Sequence, residues 1–189
     1  MTRRLRTIDS DAIYHVGSRG SNRAQIIWDE IDCKSFADEL ARTASRYHWS
    51  VLAWCLMPNH HHVILRASEE AFSKGFHQLN GNYSRRTNKR HGRSDHLFKN
   101  RPWSEELASH AHLINALRYV LRNPVKAGMC ARSHEWAYSS YRATVALEQA
   151  PVWLLVDEVL ELFGPTPEIA MREVARLVHE GHAPVSDTL

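Results

Sequence analysis

Residues 57–65 read Met-Pro-Asn-His-His-His-Val-Ile-Leu, and three consecutive histidines in an apolar stretch raise the question of a metal site. In an extended strand side chains alternate faces, so His60 and His62 point one way and His61 the other. With a rise of about 3.3 Å per residue, the outer two lie about 7 Å apart and can converge on one cation. The spelling recurs at His110-Ala111-His112, but there the sequence predicts a helix. Residues two apart on a helix diverge by about 200°, which makes a poor chelate. A strand HxH is also the spelling of two hydrogen-bonded sheet histidines, so a third ligand has to decide. The stretch ALRYVLRNPVKAG (116–128) offers one. Leu113, Leu117, Val120 and Leu121 form an apolar helical stripe, and Tyr119 and Asn123 fall roughly 120 to 160° from its centre. One turn apart on the same face, they present a phenol beside a neutral oxygen ligand.

The elements that must position these groups follow from periodicity. Tyr14–Arg19 reads as a strand ending in a Ser-Arg-Gly-Ser-Asn-Arg loop, and Asp29–Tyr47 as a helix with Asp29 or Asp32 as cap. Ser50–Leu56 and His60–Arg66 are β-rich and flank Met57-Pro58-Asn59, the pattern of a hairpin. Ser68 caps a helix running to His91-Gly92, residues 97–104 supply a strand or an extended loop, and a last core helix runs from Ser109 to Arg122. Asn123-Pro124 is expected to end it, because proline disfavours helix at the residue before it. The order β-α-β-β-α-(β)-α predicts an α+β, ferredoxin-like antiparallel sheet with helices on one face. From residue 132 the character changes. An aromatic stretch, HEWAYSSY (134–141), precedes short helices at 151–163 and 167–180. We therefore read a catalytic domain over 1–131 and a C-terminal aromatic loop and helical appendage over 132–189.

A chain of 189 residues with 43% hydrophobic content suits one domain with an appendage. Cys33, Cys55 and Cys130 form no CxxC pair, which argues against a disulfide framework or a thiolate zinc site. With no leader-like or membrane-spanning apolar run, the expectation is a soluble cytoplasmic protein without a membrane partner. Net charge is only +3, but residues 74–101 hold eight Lys or Arg against one acid, whereas 148–189 hold eight acids against two arginines. A concentrated basic segment fits a polyanion partner, and equally a solvated helix face.

Four stretches in one order, MPNHHHVIL, RHGRSDHLFKNR, RYVLRNPVKAG and EWAYSSY, closely resemble the REP-associated tyrosine transposases of the HUH single-tyrosine superfamily. The resemblance covers about residues 10–180 and implies a ferredoxin-like domain whose HxH histidines, here His60 and His62, bind a divalent cation. It implies Asn123 as the remaining protein ligand and Tyr119 as the nucleophile. Free tyrosine has a pKa of about 10, so attack on a phosphodiester calls for a cation that polarises the phosphoryl oxygens. Two imidazoles and an amide suit zinc by softness, whereas the resemblance implies magnesium or manganese. His61 departs from the usual family spelling, which has a small or aromatic apolar residue there, and is assigned no ligand role. The implied partner is single-stranded DNA carrying hairpin or palindromic repeats, and the implied activity is cleavage and rejoining through a 5′-phosphotyrosine. The alternative is a catalytically silent hairpin-binding or regulatory protein of the same fold. Arg19, Arg23, Arg85, Arg86, Lys89, Arg90, Arg93, Lys99 and Arg101 are the candidates for phosphate contacts, and a monomer is expected.

Overall fold

A computed structural model of the protein describes residues 12–99 and 102–179. Three strands carry the core of the sheet: β1 (Ala12–Arg19), β2 (Ser50–Met57) and β3 (His60–Ala67). A short edge strand, β4 (Trp103–Glu106), completes a four-stranded antiparallel sheet in the order β2-β3-β1-β4. The hairpin turn is Pro58-Asn59, as the sequence predicts, and β2 carries an irregularity at Leu52 that shifts its register against β3. The bulge puts Leu52 and Ala53 on the same face, so the two halves of β2 feed the two sides of the sheet correctly.

Helices α1 (Glu30–Tyr47) and α2 (Glu69–Arg90) cover one face. Asp29 caps α1 by accepting from the Ile31 and Asp32 amides, and Ser68 caps α2 through the Ala71 amide. Each cap satisfies amides that have no partner inside the helix, a contribution of about 1 kcal/mol. Phe36, Leu40, Phe76, Leu79 and Tyr83 meet Val16, Val51, Val63 and Leu65 in this layer.

Helix α3 (His110–Lys126) lies on the opposite face, where Leu113, Leu117, Val120 and Leu121 pack against Leu52, Cys55, Met57 and Ile64. Helices thus cover both faces, because the stripe on α3 needs an apolar surface of its own and the first face is already filled by α1 and α2. The expected stop at Asn123 does not occur, and α3 runs through Pro124 to Lys126. Proline here costs a single amide near the helix end, the burial of Asn123 and Pro124 holds the last turn, and the Ala127 amide still reaches the Asn123 carbonyl.

The C-terminal region closes the structure. Sheet edge β2 would expose unpaired backbone groups, and the aromatic stretch occupies them. The Leu56 amide donates to the Tyr138 carbonyl, Ser140 N–H to the Trp54 carbonyl, and the Trp136 indole to the Leu56 carbonyl. Short helices α4 (Tyr141–Thr144), α5 (Val156–Glu161) and α6 (Pro167–His179) follow. Helix α5 begins later than periodicity suggests, because the Leu154 amide turns back to the Pro151 carbonyl and the Leu155 amide donates to the Val51 carbonyl. Ala170, Val174 and Val178 of α6 join the α3 side of the core. Cys33 and Cys55 are buried and Cys130 half-buried, all three as free thiols. Among the described residues no helix is long and apolar enough to cross a membrane.

Candidate active site and nucleic-acid interface

Alternation along β3 divides the three histidines. His61 enters the α1/α2 layer, ringed by Phe36, Phe76 and Phe98, while His60 and His62 face α3. The outer two rings lie 4.9 Å apart at 89°. Tyr119 stands over them from α3, its ring 5.3 Å from that of His62, and 40% of its surface is open to solvent. Asn123, one turn on, is buried, and its side-chain amide lies close enough to His60 to bear on its protonation. The structure therefore brings His60, His62, Tyr119 and Asn123 together from two elements far apart in sequence.

The hydrogen bonds of the two imidazoles determine what they offer. His60 Nδ1 lies 2.7 Å from Asn59 Oδ1. Asn59 turns its amide nitrogen toward the Arg23 carbonyl, so the atom facing His60 is the oxygen, and His60 Nδ1–H must donate to it. That leaves the Nε2 lone pair of His60 available. His62 uses Nδ1 against His15 Nε2 at 3.2 Å, and its own Nε2 is buried without a hydrogen-bond partner. Burial, with the Arg19 charge adding to it, lowers the His60 pKa to about 4. His62 is held well below the usual range by burial and then by its histidine neighbours. Both are neutral at physiological pH, the form that ligates a metal.

These features fit a divalent cation held by His60, His62 and Asn123: two neutral imidazoles, an orphaned ring nitrogen and an adjacent amide. Among the described residues no group of three or more His, Cys, Asp or Glu side chains is placed to hold a metal ion, so a third protein ligand would have to come from outside that set, and the Asn123 amide is adjacent. The helical pair is placed otherwise. His110 is exposed, and His112 pairs with Glu105 at 3.1 Å.

Three neighbours are not placed at this site by the sequence. His15, on β1, is buried between Trp103 at 4.6 Å, His62 at 5.2 Å and Tyr119 at 5.8 Å between ring centroids. Trp103 lies across Gly17, where an added Cβ would come within 2.9 Å of the indole, so only glycine lets the ring settle there. Lys126 Nζ sits 5.6 Å from the Tyr119 ring centroid. His15 and Trp103 carry no local signal, since finding them requires the register of β1 against β3 and β4. Lys126 is seven residues beyond Tyr119, a spacing that a helix extended through Pro124 would have revealed.

The basic candidates have different fates. Arg19 ends β1 opposite His60, and its carbonyl receives the Lys99 amide. Arg23 lies in the loop bonded to Asn59. These residues border the site. Arg86 is bound to buried Glu39 at 3.4 Å, and Arg90 to Asp29 and to buried Asp32, which also takes His91 at 2.8 Å. Arg85 bonds Asn82 on its own helix, Lys89 is exposed, and Arg93 lies over Trp28. Arg101 lies outside the described residues.

The sheet thus presents an HxH pair to a helix-borne tyrosine, and a family model matches most of the chain. Residues 9–122 match the family model described as "Transposase IS200 like", and the chain belongs to the family of IS200-like transposases. The chain is 24% identical over 127 residues to "Putative REP-associated tyrosine transposase" of Haemophilus influenzae (strain ATCC 51907 / DSM 11121 / KW20 / Rd), a match covering 61% of this chain and 72% of the relative. It shares its fold with a solved REP-associated tyrosine transposase bound to a REP hairpin, at a TM-score of 0.63 and 17% identity over 80% of this chain and 89% of that one.

Proposed function

We propose that the protein cleaves and rejoins single-stranded DNA at palindromic repeats folded as hairpins, through a covalent 5′-phosphotyrosine at Tyr119. The observation that carries this reading is the exposed phenol ring standing against His62, beside two neutral imidazoles and a buried amide. The hairpin substrate is supported by the relative whose structure holds a REP hairpin. A divalent cation held by His60, His62 and Asn123, magnesium or manganese in preference to zinc, would polarise the scissile phosphoryl group and take up charge as it develops. Tyr119 Oη attacks phosphorus in line with the 3′-oxygen, the P–O3′ bond breaks, and the strand upstream leaves with a free 3′-hydroxyl. The phenol gives up a proton and the leaving oxygen gains one, so the step is proton-neutral overall. Because the phosphotyrosine keeps an ester bond, a 3′-hydroxyl of another strand can reverse the attack and join to the held end without a nucleotide cofactor.

The test is incubation with single-stranded oligonucleotides carrying palindromic repeats of the host genome, with Mg²⁺ or Mn²⁺, followed by denaturing electrophoresis. The expected result is a protein–DNA adduct that is lost in Tyr119→Phe and after chelation. An adduct that persists in Tyr119→Phe would overturn the assignment. Tight hairpin binding with no adduct under either metal would favour a binding protein without turnover.

A further inference from the structure

The two proposed ligands are built alike. His60 has its Nδ1 proton fixed by Asn59 Oδ1, which turns the Nε2 lone pair outward. His62 has its Nδ1 against a ring nitrogen, His15 Nε2, at 3.2 Å. Between two neutral imidazoles one nitrogen must donate and the other accept. If His15 donated, the only proton of His62 would sit on Nε2, an atom that is buried and has no acceptor. If His62 donates, Nε2 carries a lone pair instead, on the face shared with His60 and Tyr119. A buried donor left without an acceptor is rarer than an under-used acceptor, and a protonated Nε2 could bind no cation.

Resting on the reading of His62 as a ligand, we propose that His15 is a positioning residue: its Nε2 accepts the His62 Nδ1 proton and so holds His62 in the tautomer that leaves Nε2 free to ligate. His15 is well placed for this. It lies on β1, which pairs directly with the ligand strand, and only 6% of its surface is exposed. Its ring is gripped edge-on by Trp103 at 88°, and Trp103 in turn rests on Gly17. The ring contact with Tyr119 at 5.8 Å places the same residue between nucleophile and ligand. Outer partners of this kind set the ring orientation and tautomer of ligating histidines in metal sites generally.

The experiment reads the tautomer directly and needs no DNA. In ¹⁵N-histidine-labelled full-length protein near neutral pH, long-range ¹H–¹⁵N correlation distinguishes the two forms, with the His62 signals assigned by their loss in His62→Ala. The expected result is His62 protonated at Nδ1. Protonation at Nε2 in the wild-type protein overturns the proposal. Mn²⁺ titration followed by electron paramagnetic resonance supplies the second readout. His15→Phe, which keeps the ring volume and removes the acceptor, is expected to weaken Mn²⁺ binding by about 10- to 100-fold. His15→Gln, which restores an acceptor oxygen, is expected to recover most of it. Unchanged Mn²⁺ affinity in a folded His15→Phe protein also overturns the proposal. If the wild-type protein binds no Mn²⁺ while His62 remains protonated at Nδ1, the ligand reading fails and the hydrogen-bond assignment to His15 stands.

Discussion

His61 and His62 are adjacent, both are buried, and both have one ring nitrogen without a hydrogen-bond partner, yet they face different worlds. His61 Nε2 meets Asn80 Oδ1, and Asn80 hands its amide on to Ser18 Oγ, while the other nitrogen of His61 points among phenylalanines. His62 directs its open nitrogen to the side occupied by His60, Tyr119 and Asn123. Neither residue type nor burial separates the structural histidine from the proposed ligand. The partner on the far nitrogen and the surroundings of the near one do.

The largest effect should come from exchanging the two. His62→Ala is expected to abolish detectable Mn²⁺ binding and adduct formation, and, because its ring is buried as well, to lower the urea unfolding midpoint too. His61→Ala should lower stability while sparing Mn²⁺ binding. It empties a fully buried ring site among aromatic side chains and strands Asn80 Oδ1, a loss of about 3 kcal/mol in unfolding free energy. The protein that remains folded should still bind Mn²⁺. If His61→Ala lost Mn²⁺ binding with the fold intact, the division of the strand into a structural and a chemical face would break.

Acid sharpens the same contrast at intermediate size. Burial lowers the His61 pKa to about 3 and the His15 pKa to about 4, against 6.5 for the unfolded side chain. The unfolded chain therefore takes up protons first as pH falls below 6.5. Stability is whole above that value and declines toward the folded-state pKa, by up to about 1.4 kcal/mol per pH unit for each such histidine. Urea titrations at a series of pH values from 7.5 down to 4.5 should show this slope, and His61→Leu should flatten it. A slope unchanged by His61→Leu would mean that His61 does not resist protonation in the folded protein.

The contrast also marks what a sequence can disclose. Alternation on a strand is a local rule, so the placement of His60 and His62 on one face of the sheet and His61 on the other is legible from six residues. The placement of Tyr119 and Asn123 off the apolar stripe is legible for the same reason, since helical phase is local too. Three things are not. The face of the sheet that α3 covers depends on which face α1 and α2 have already filled. The continuation of α3 through Pro124 depends on tertiary burial outweighing a local penalty. His15 becomes visible only through strand register, which no single stretch encodes. Local periodicity thus supplies directions, and the partners at the end of each direction come from the assembled sheet.

The arginines and lysines repeat the lesson on a smaller scale. Arg90 is tied to Asp29 and Asp32, joining the start of α1 to the end of α2, and Asp32 is almost wholly buried. Removing the guanidinium leaves that carboxylate with His91 and the Trp28 amide alone, so Arg90→Ala should lower the urea unfolding midpoint. Lys99 is exposed and is joined through its backbone to Arg19 at the end of β1, opposite His60. If it meets a phosphate, Lys99→Ala should leave unfolding unchanged and lower the slope of log Kd against log salt by about 1. Fluorescence anisotropy with a labelled single-stranded hairpin across a range of salt concentrations, using the Tyr119→Phe background to prevent cleavage, measures both slopes. A charge already paired inside the fold neutralises no phosphate and so releases no counterions from the DNA, and Arg90→Ala should keep the wild-type slope. A reduced slope in Arg90→Ala would reassign this ion pair from the scaffold to the DNA surface.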